Sequence, residues 1–367
     1  MSIYLDNAAT TKAHDDVLAT MAQAERDMFY NSAALYTGSV VVNKVIREAE
    51  NTIRARLDRR GAGQLIFTSG ATESNNIVML GKITSQRHHL VVAAGEHSST
   101  YAPSVALKND GFTVDYIPLL KSGHIDVDAI SRIVKSTTTL VCFSMVNSDT
   151  GALQPVRKIV DAVRRISPKC HVHCDAVQGF AKFDFDVADM GLDSASISAH
   201  KIYGPKGIGG LWVRKGVNLR PIMYGGAQQD FRPGTESNAS ILGFAKAVEV
   251  FETKAMLSHV KSLHARLVDG LPRGCTINGD NTNPYITNIM LPVLGQTVMN
   301  ALSSRGIYVG LGSACSSRAS KNRTLIAMGI PEAKTKNVIR ISLGRNNTNK
   351  DIDTFNDELA KILDDLR

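Results

Sequence analysis

Between about residues 60 and 215 of this 367-residue chain, short apolar runs of strand length alternate with helix-patterned stretches. The strand candidates cover 65–68, 90–94, 114–118, 140–145, 171–174, 194–198 and 210–213, and helical stretches such as 126–135 and 156–166 lie between them. Strands alternating with helices predict an α/β unit with a mostly parallel seven-stranded sheet. A parallel pair needs a crossover between its strands, and the helix supplies it. From about Ser240 the pattern changes to one long helical stretch over 241–271 and then a mixed strand and helix region. This predicts a large domain over 12–248 and a smaller α+β domain built from 1–11 and 249–367. No low-complexity linker separates them, so the two are expected to pack closely.

Composition excludes several classes. With 43% hydrophobic and 21% charged residues, the chain can bury a large core, and wholesale disorder is excluded. The longest apolar runs are strand length, short of the roughly 20 residues of a membrane helix. The opening MSIYLDNAATT, with Asp6 early, lacks the basic-then-apolar order of a secretory signal. Five scattered cysteines, an odd number, argue against a disulfide framework and for the reducing cytoplasm. Cys170 and Cys174, in Cys-His-Val-His-Cys, invite a zinc reading. A strand there would hold their Cα atoms about 13 Å apart, with both histidines on the opposite face. No metal is therefore assigned. The net charge of +8 is mild for this length and comes without a basic block interleaved with aromatics. It reads as a solvated surface, and direct nucleic-acid binding is not expected.

Three strand ends carry chemistry. In the first, Ser198-Ala-His200-Lys201 precedes a glycine-rich turn. A lysine there suits an imine with an aldehyde cofactor, and Ser198 and His200 can donate to a phosphate. In the second, Leu65 to Ser74 reads as a strand, a tight turn at Gly70 and a helix beginning at Ala71 and Thr72. Helix starts bind phosphate through free N–H groups. In the third, Asp175-Ala-Val-Gln178 closes a strand. The acid there can keep a pyridine nitrogen protonated, and Gln178 can reach a ring hydroxyl. Taken singly, a surface lysine or a helix cap is the commoner explanation of each. Taken together and in this order, they point to a bound pyridoxal phosphate (PLP).

With these segments the sequence resembles the cysteine desulfurases of PLP fold type I, the aspartate aminotransferase-like fold. Matching stretches run through nearly the whole chain: Tyr4-Leu-Asp-Asn-Ala-Ala-Thr-Thr11, Thr68-Ser-Gly-Ala-Thr-Glu-Ser74, Glu96-His97, Asp175-Ala-Val-Gln178, Ser198-Ala-His-Lys201, Arg232-Pro-Gly-Thr-Glu236, Gly312-Ser-Ala-Cys-Ser-Ser317 and Ile339-Arg-Ile-Ser-Leu-Gly344. The resemblance implies that Lys201 anchors the cofactor and that Ala71, Thr72, Gln178, Ser198 and His200 help hold it. It implies that His97 lies over the ring and moves protons, and that Asn147 sits beside cofactor and substrate. Arg340 would clamp the substrate carboxylate, with Asn31 also in the substrate pocket. Thr235 would reach the neighbouring subunit's phosphate, which implies a homodimer. Cys315 would take sulfur from L-cysteine as a persulfide, leave L-alanine, and pass the sulfur to an acceptor protein. That acceptor would serve iron–sulfur assembly, tRNA thiolation or DNA phosphorothioation.

Cys315 lies in a small, polar run read as a mobile loop, and Arg318 and Lys321 nearby favour its thiolate. The sequence also departs from the family: Tyr30-Asn-Ser-Ala-Ala-Leu-Tyr36 keeps Asn31 without the usual Pro and His, and Ser98 and Asp149 replace a Lys and a Glu. A selenocysteine lyase would use much the same site. An aminotransferase would not need Cys315, and a non-catalytic PLP-bound regulator of nucleic acid has only the +8 charge in its favour.

Overall fold

The computed structural model describes residues 2–84, 88–226, 232–312 and 322–366. Its main sheet has seven strands, in the order Gly63–Thr68, Gly209–Arg214, Ser194–Ser198, His171–Asp175, Leu140–Ser144, His89–Ala93 and Thr113–Ile117. Only Gly209–Arg214 runs antiparallel to its neighbours. All seven strands predicted from the sequence are present, with ends shifted by at most two residues.

His89–Ala93 and Leu140–Ser144 read as near-continuous apolar runs because both faces of the sheet are covered there, while His171–Asp175 and Ser194–Ser198 bury polar residues as well. Ile66, Leu90, Val92, Leu140, Cys142, Leu211 and Val213 turn to one face, against Ile77 and Val78 of helix Ala71–Lys82 and Leu107 of helix Ser98–Asn109. The alternating set Phe67, Val91, Val141, Phe143, Val172, Ile197 and Trp212 turns to the other, against Ile159, Val160 and Val163 of helix Val156–Ile166. The period of two along each strand thus sorts side chains into two cores.

Two predicted helices take a different form. Of 126–135, only Ile130–Ile133 is helical. The Asp126 carboxylate accepts from the N–H groups of Asp128 and Ala129, a local turn that competes with the helix. The stretch 241–271 divides into helices Asn238–Glu249 and Thr253–Asp269. Phe251, at the break, is buried and stacks on Tyr203 with ring centroids 6.0 Å apart, which draws the chain out of helical phase.

Away from the main sheet, Ile286–Met290 pairs antiparallel with Val338–Ser342 and with Thr276–Asn278. Ile3–Tyr4 pairs in parallel with Ile307–Tyr308. Beyond that pair, the first residues bond to Ser342 and then cross to the main sheet, where Thr11 N–H donates to the His200 carbonyl at 3.0 Å. No described helix is long and apolar enough to cross a membrane.

The central strand carries His171 and His173, both buried, and each has a ring nitrogen 2.7 Å from the Ser194 hydroxyl. Burial pushes both imidazoles down to about 3. A histidine whose folded value lies below its unfolded value near 6.5 supports folding fully above that pH, and the support is lost as pH falls towards 3. Each should withdraw about 2 kcal/mol between pH 6.5 and pH 5. Urea unfolding of His171→Gln and His173→Gln across this range should show a shallower pH slope than the parent chain. An unchanged slope would mean that neither ring is held neutral.

Candidate active site

The carboxyl ends of the parallel strands meet at one edge of the sheet, where ligands of open α/β sheets bind. A cavity of about 450 Å³ opens there. Its wall includes Ser69 to Thr72, His97, Asp175, Gln178, Ser198, His200, Lys201 and Arg340. Nine of the residues singled out in the sequence therefore converge on one cavity: Ala71, Thr72, His97, Asp175, Gln178, Ser198, His200, Lys201 and Arg340.

One end of the cavity suits an anion. Helix Ala71–Lys82 begins after Gly70, whose φ is 153°, and no side chain caps it. Its first N–H groups, at Ala71 and Thr72, line the cavity. A Cβ on Gly209 would stand 2.7 Å from the Cα of Gly70, so a glycine there lets the two backbones meet. Ser198 and His200 complete the group. Burial, helped by Lys201 and Lys206, pushes His200 down to about 4, so its ring is neutral at physiological pH.

The middle of the cavity holds an acid, a base and an imidazole. Asp175 is buried; one carboxylate oxygen accepts from Val177 N–H at 3.1 Å and the other from the Asn75 amide at 2.9 Å. The Lys201 ammonium donates to the carbonyls of Ala8 at 2.6 Å and Ala9 at 2.7 Å. Gln178 donates to the same Ala8 carbonyl at 2.9 Å, and its own oxygen accepts from Lys182 at 2.9 Å. Lys182 is buried and pushed down to about 7 by desolvation, with Lys201 and Arg340 adding repulsion. His97 Nδ1 accepts from Ser99 N–H at 3.1 Å and lies 2.8 Å from the Ser99 hydroxyl. Desolvation lowers its pKa against the opposing pull of Asp175. Beside it, Glu96 accepts from Ser144 N–H at 2.8 Å and meets the Ser144 hydroxyl; full burial pushes its carboxyl up to about 8.

At the far side, the buried Arg340 guanidinium pairs with Asp6 at 2.7 Å and donates to the Ser148 carbonyl at 3.0 Å. Its Nε is buried with no hydrogen-bond partner among the described residues. Gly310 packs against this group, and its backbone exchanges hydrogen bonds with that of Arg340 at 3.0 and 2.7 Å.

Three sequence candidates lie elsewhere. Asn147 is buried behind the wall; its oxygen accepts from Asp149, Thr150 N–H and the Thr150 hydroxyl, and its amide nitrogen donates to Gly95. It shapes a turn whose neighbours Val146 and Ser148 face the cavity. Asn31 is exposed and accepts from Ala33 N–H at 3.0 Å. Thr235 is exposed beside Met223 and Tyr224. Cys315, with Arg318 and Lys321, lies outside the described residues. Sequence reading passed over Asn75, Ser99, Lys182 and Asp6. Asn75 and Asp6 meet Asp175 and Arg340 across 100 and 334 residues, so no local pattern announces them, whereas Lys182 and Ser99 stand four and two residues from Gln178 and His97.

The chain matches the class-V aminotransferase family over residues 3–355. It is 32% identical to the cysteine desulfurase IscS 1 of Archaeoglobus fulgidus, over 99% of this chain and 97% of that protein. Among solved structures, a NifS-like protein superposes with a TM-score of 0.92 at 30% identity, covering 99% of this chain and all of the other. SspA in complex with cysteine superposes with a TM-score of 0.83 at 30% identity, covering 95% of this chain and all of the other. The cavity's donors fit PLP, with an uncapped helix start and neutral histidine for a phosphate, a buried carboxylate for a ring nitrogen, and a lysine amine within the same wall. The chain belongs to the class-V aminotransferases and, within them, to the PLP-dependent cysteine desulfurases.

Proposed function

We propose that Lys201, Asp175, His97 and Arg340 prepare free L-cysteine in this cavity and that Cys315 takes its sulfur. When bound, PLP supplies an electron sink for negative charge that develops at the substrate Cα. The Ala71 and Thr72 N–H groups, Ser198 and His200 hold its phosphate. Asp175, an acceptor fixed by Asn75 and Val177, holds the proton on its ring nitrogen. Lys201 Nζ, now parked on Ala8 and Ala9, turns to the substrate and removes the Cα proton. Arg340, on the cavity wall, meets the substrate carboxylate, while Asp6 and Ser148 fix the plane of the guanidinium. Neutral His97 moves a proton at the substrate. The Cys315 thiolate attacks the substrate sulfur, an S–S bond forms, and the substrate C–S bond breaks. The substrate carbon is reduced as the sulfur is oxidised to the sulfane level, so cysteine and one thiol become alanine and one persulfide with no outside oxidant.

The observation that carries this reading is the anchoring of both described ends of the segment bearing Cys315. On one side Gly310 is tied to Arg340 in the cavity wall. On the other, the Thr324 hydroxyl donates to Asp149 at 2.8 Å and to the Gly95 carbonyl at 3.2 Å, two residues before His97. From Gly312, Cys315 is three residues on, a reach of at most about 10 Å. Cys142, Cys170 and Cys174 are buried, and burial raises the pKa of each thiol. Cys275 does not line the cavity. The reading includes two lobes, 12–248 and 1–11 with 249–367, with the substrate between them. It also includes a homodimer, supported by exposed apolar side chains at Phe29, Leu35, Tyr36, Val40, Val41 and Tyr224, near Asn31 and Thr235. A partner subunit would cover this surface and complete the pocket, and a separate acceptor protein would collect the persulfide in the cytoplasm.

Cys315→Ser tests the sulfur step. The variant should bind PLP and cysteine as the parent does, judged by its visible spectrum, and release less than about 1% of the alanine, a barrier rise of about 3 kcal/mol. Brief exposure of the parent to cysteine should add one sulfur to the Cys315 peptide by mass spectrometry. Alanine release at the parental rate would reassign the acceptor. Lys201→Ala should lose the cofactor band that borohydride reduces in the parent, and a retained reducible band would place the anchor elsewhere. Sedimentation equilibrium should give twice the chain mass, and a fully active monomer would remove the shared-site reading.

A further inference from the structure

Asn75 sits in the first turns of helix Ala71–Lys82, wholly buried behind the cavity wall. Its amide nitrogen lies 2.9 Å from Asp175 Oδ2, 2.8 Å from the Ser99 hydroxyl and 3.3 Å from the Thr100 hydroxyl. Its oxygen lies 2.9 Å from His173 Nε2. We propose that Asn75 is a positioning residue of the reaction centre, its one amide orienting Asp175 directly and His97 through the Ser99 hydroxyl. This rests on the reading above that the reaction uses Asp175 and His97.

Hydrogen accounting carries the argument. An ionised carboxylate only accepts, so the amide must turn its nitrogen to Asp175. One amide hydrogen goes there, and the other goes to Ser99. Having accepted, the Ser99 hydroxyl has its own hydrogen to give, and His97 Nδ1 is 2.8 Å away. Ser99 N–H points at the same nitrogen from 3.1 Å. Nδ1 is thus an acceptor, and the His97 proton sits on Nε2. The other arm follows the same logic. The Asn75 oxygen requires a donor, so His173 carries its proton on Nε2, and its Nδ1 accepts from Ser194, 2.7 Å away. With its hydrogen spent, Ser194 accepts from His171 Nε2, also 2.7 Å away. The amide thus fixes the tautomers of His173 and, through Ser194, His171, and it reinforces through the Ser99 hydroxyl the His97 tautomer that the Ser99 N–H also selects. The link to His97 is partly buried and the others are buried, where a reversed dipole leaves a donor or acceptor unpaired at a cost of about 1–3 kcal/mol.

Two variants test this, first in the cofactor-free protein by ¹⁵N–¹H correlation of the imidazoles. Asn75→Asp keeps the shape but replaces the donor with an acceptor facing Asp175. It should shift the nitrogen resonances of both His97 and His173. Ser99→Ala removes only the relay hydroxyl and should move His97 Nδ1 while leaving His173 in place. In the PLP-loaded protein, Asn75→Asp should change the visible band and lower kcat for alanine release by about 10- to 100-fold, with KM for cysteine within about threefold. A purely packing role would lower stability without moving the His97 ring. If Asn75→Asp folds and both histidines keep their resonances, the proposal is overturned. Should that variant fail to fold, Ser99→Ala decides, and an unmoved His97 Nδ1 overturns it. A parent chain that shows the expected resonances but makes no alanine would sink the proposed reaction and leave this positioning role standing.

Discussion

A carboxylate buried at the end of the central strand governs the arrangement around it. Asp175 closes the fourth of seven strands, so it is walled in on both sides. An unpaired charge there would be costly, by several kcal/mol. The protein meets the cost with the Val177 N–H and the Asn75 amide, both from behind, and leaves the front of the carboxylate facing the cavity. Satisfying one side only gives a charge that is stable in place and still available to a bound ring. Asn75 must be where it is for this to work, which ties helix Ala71–Lys82 to the central strand. The same helix start then presents free N–H groups at the opposite end of the cavity. The separation between the phosphate end and the ring acid is thus set by the seating of one helix.

Other charges in the cavity are handled by desolvation. His200 and His97 are pushed towards neutrality, Glu96 towards its protonated form, and Lys182 towards its neutral amine. These shifts lower the number of full charges packed near Lys201 and Arg340. What remains is a compact set of Asp175, Lys201, Lys206 and the directly paired Arg340 and Asp6.

The sheet was legible because strands covered on both faces, such as His89–Ala93 and Leu140–Ser144, are mostly apolar, and such short runs stand out. The helices were less so. The turn at Asp126 and the break at Phe251 depend on a side-chain hydrogen bond and a ring stack that no periodicity encodes. Site residues at strand ends could be found because Lys201, Asp175 and Thr72 each lie in a short motif with its own chemical logic. Asn147 shows the limit of that approach. Its motif was visible, but its amide is taken up by its own turn. The relay through Ser99 and Asn75 could not be read, because its members gain meaning only when two strands and two helices are assembled.

The N-terminal segment joins parts of the chain made at opposite ends of synthesis. Leu5 accepts from Ser342 N–H, Ile3–Tyr4 lies beside Ile307–Tyr308, and the carbonyls of Ala8 and Ala9 hold Lys201. On a ribosome the first residues emerge more than 300 residues before these strand partners. The main sheet, complete by Arg214, can form while residues 3–7 still lack these strand partners. The docking of residues 3–7, and with it the pairing of Asp6 with Arg340, must wait until residue 342 has left the exit tunnel. The order of synthesis therefore leaves the Asp6–Arg340 pair at the cavity unformed until the strand bearing Arg340 has been made.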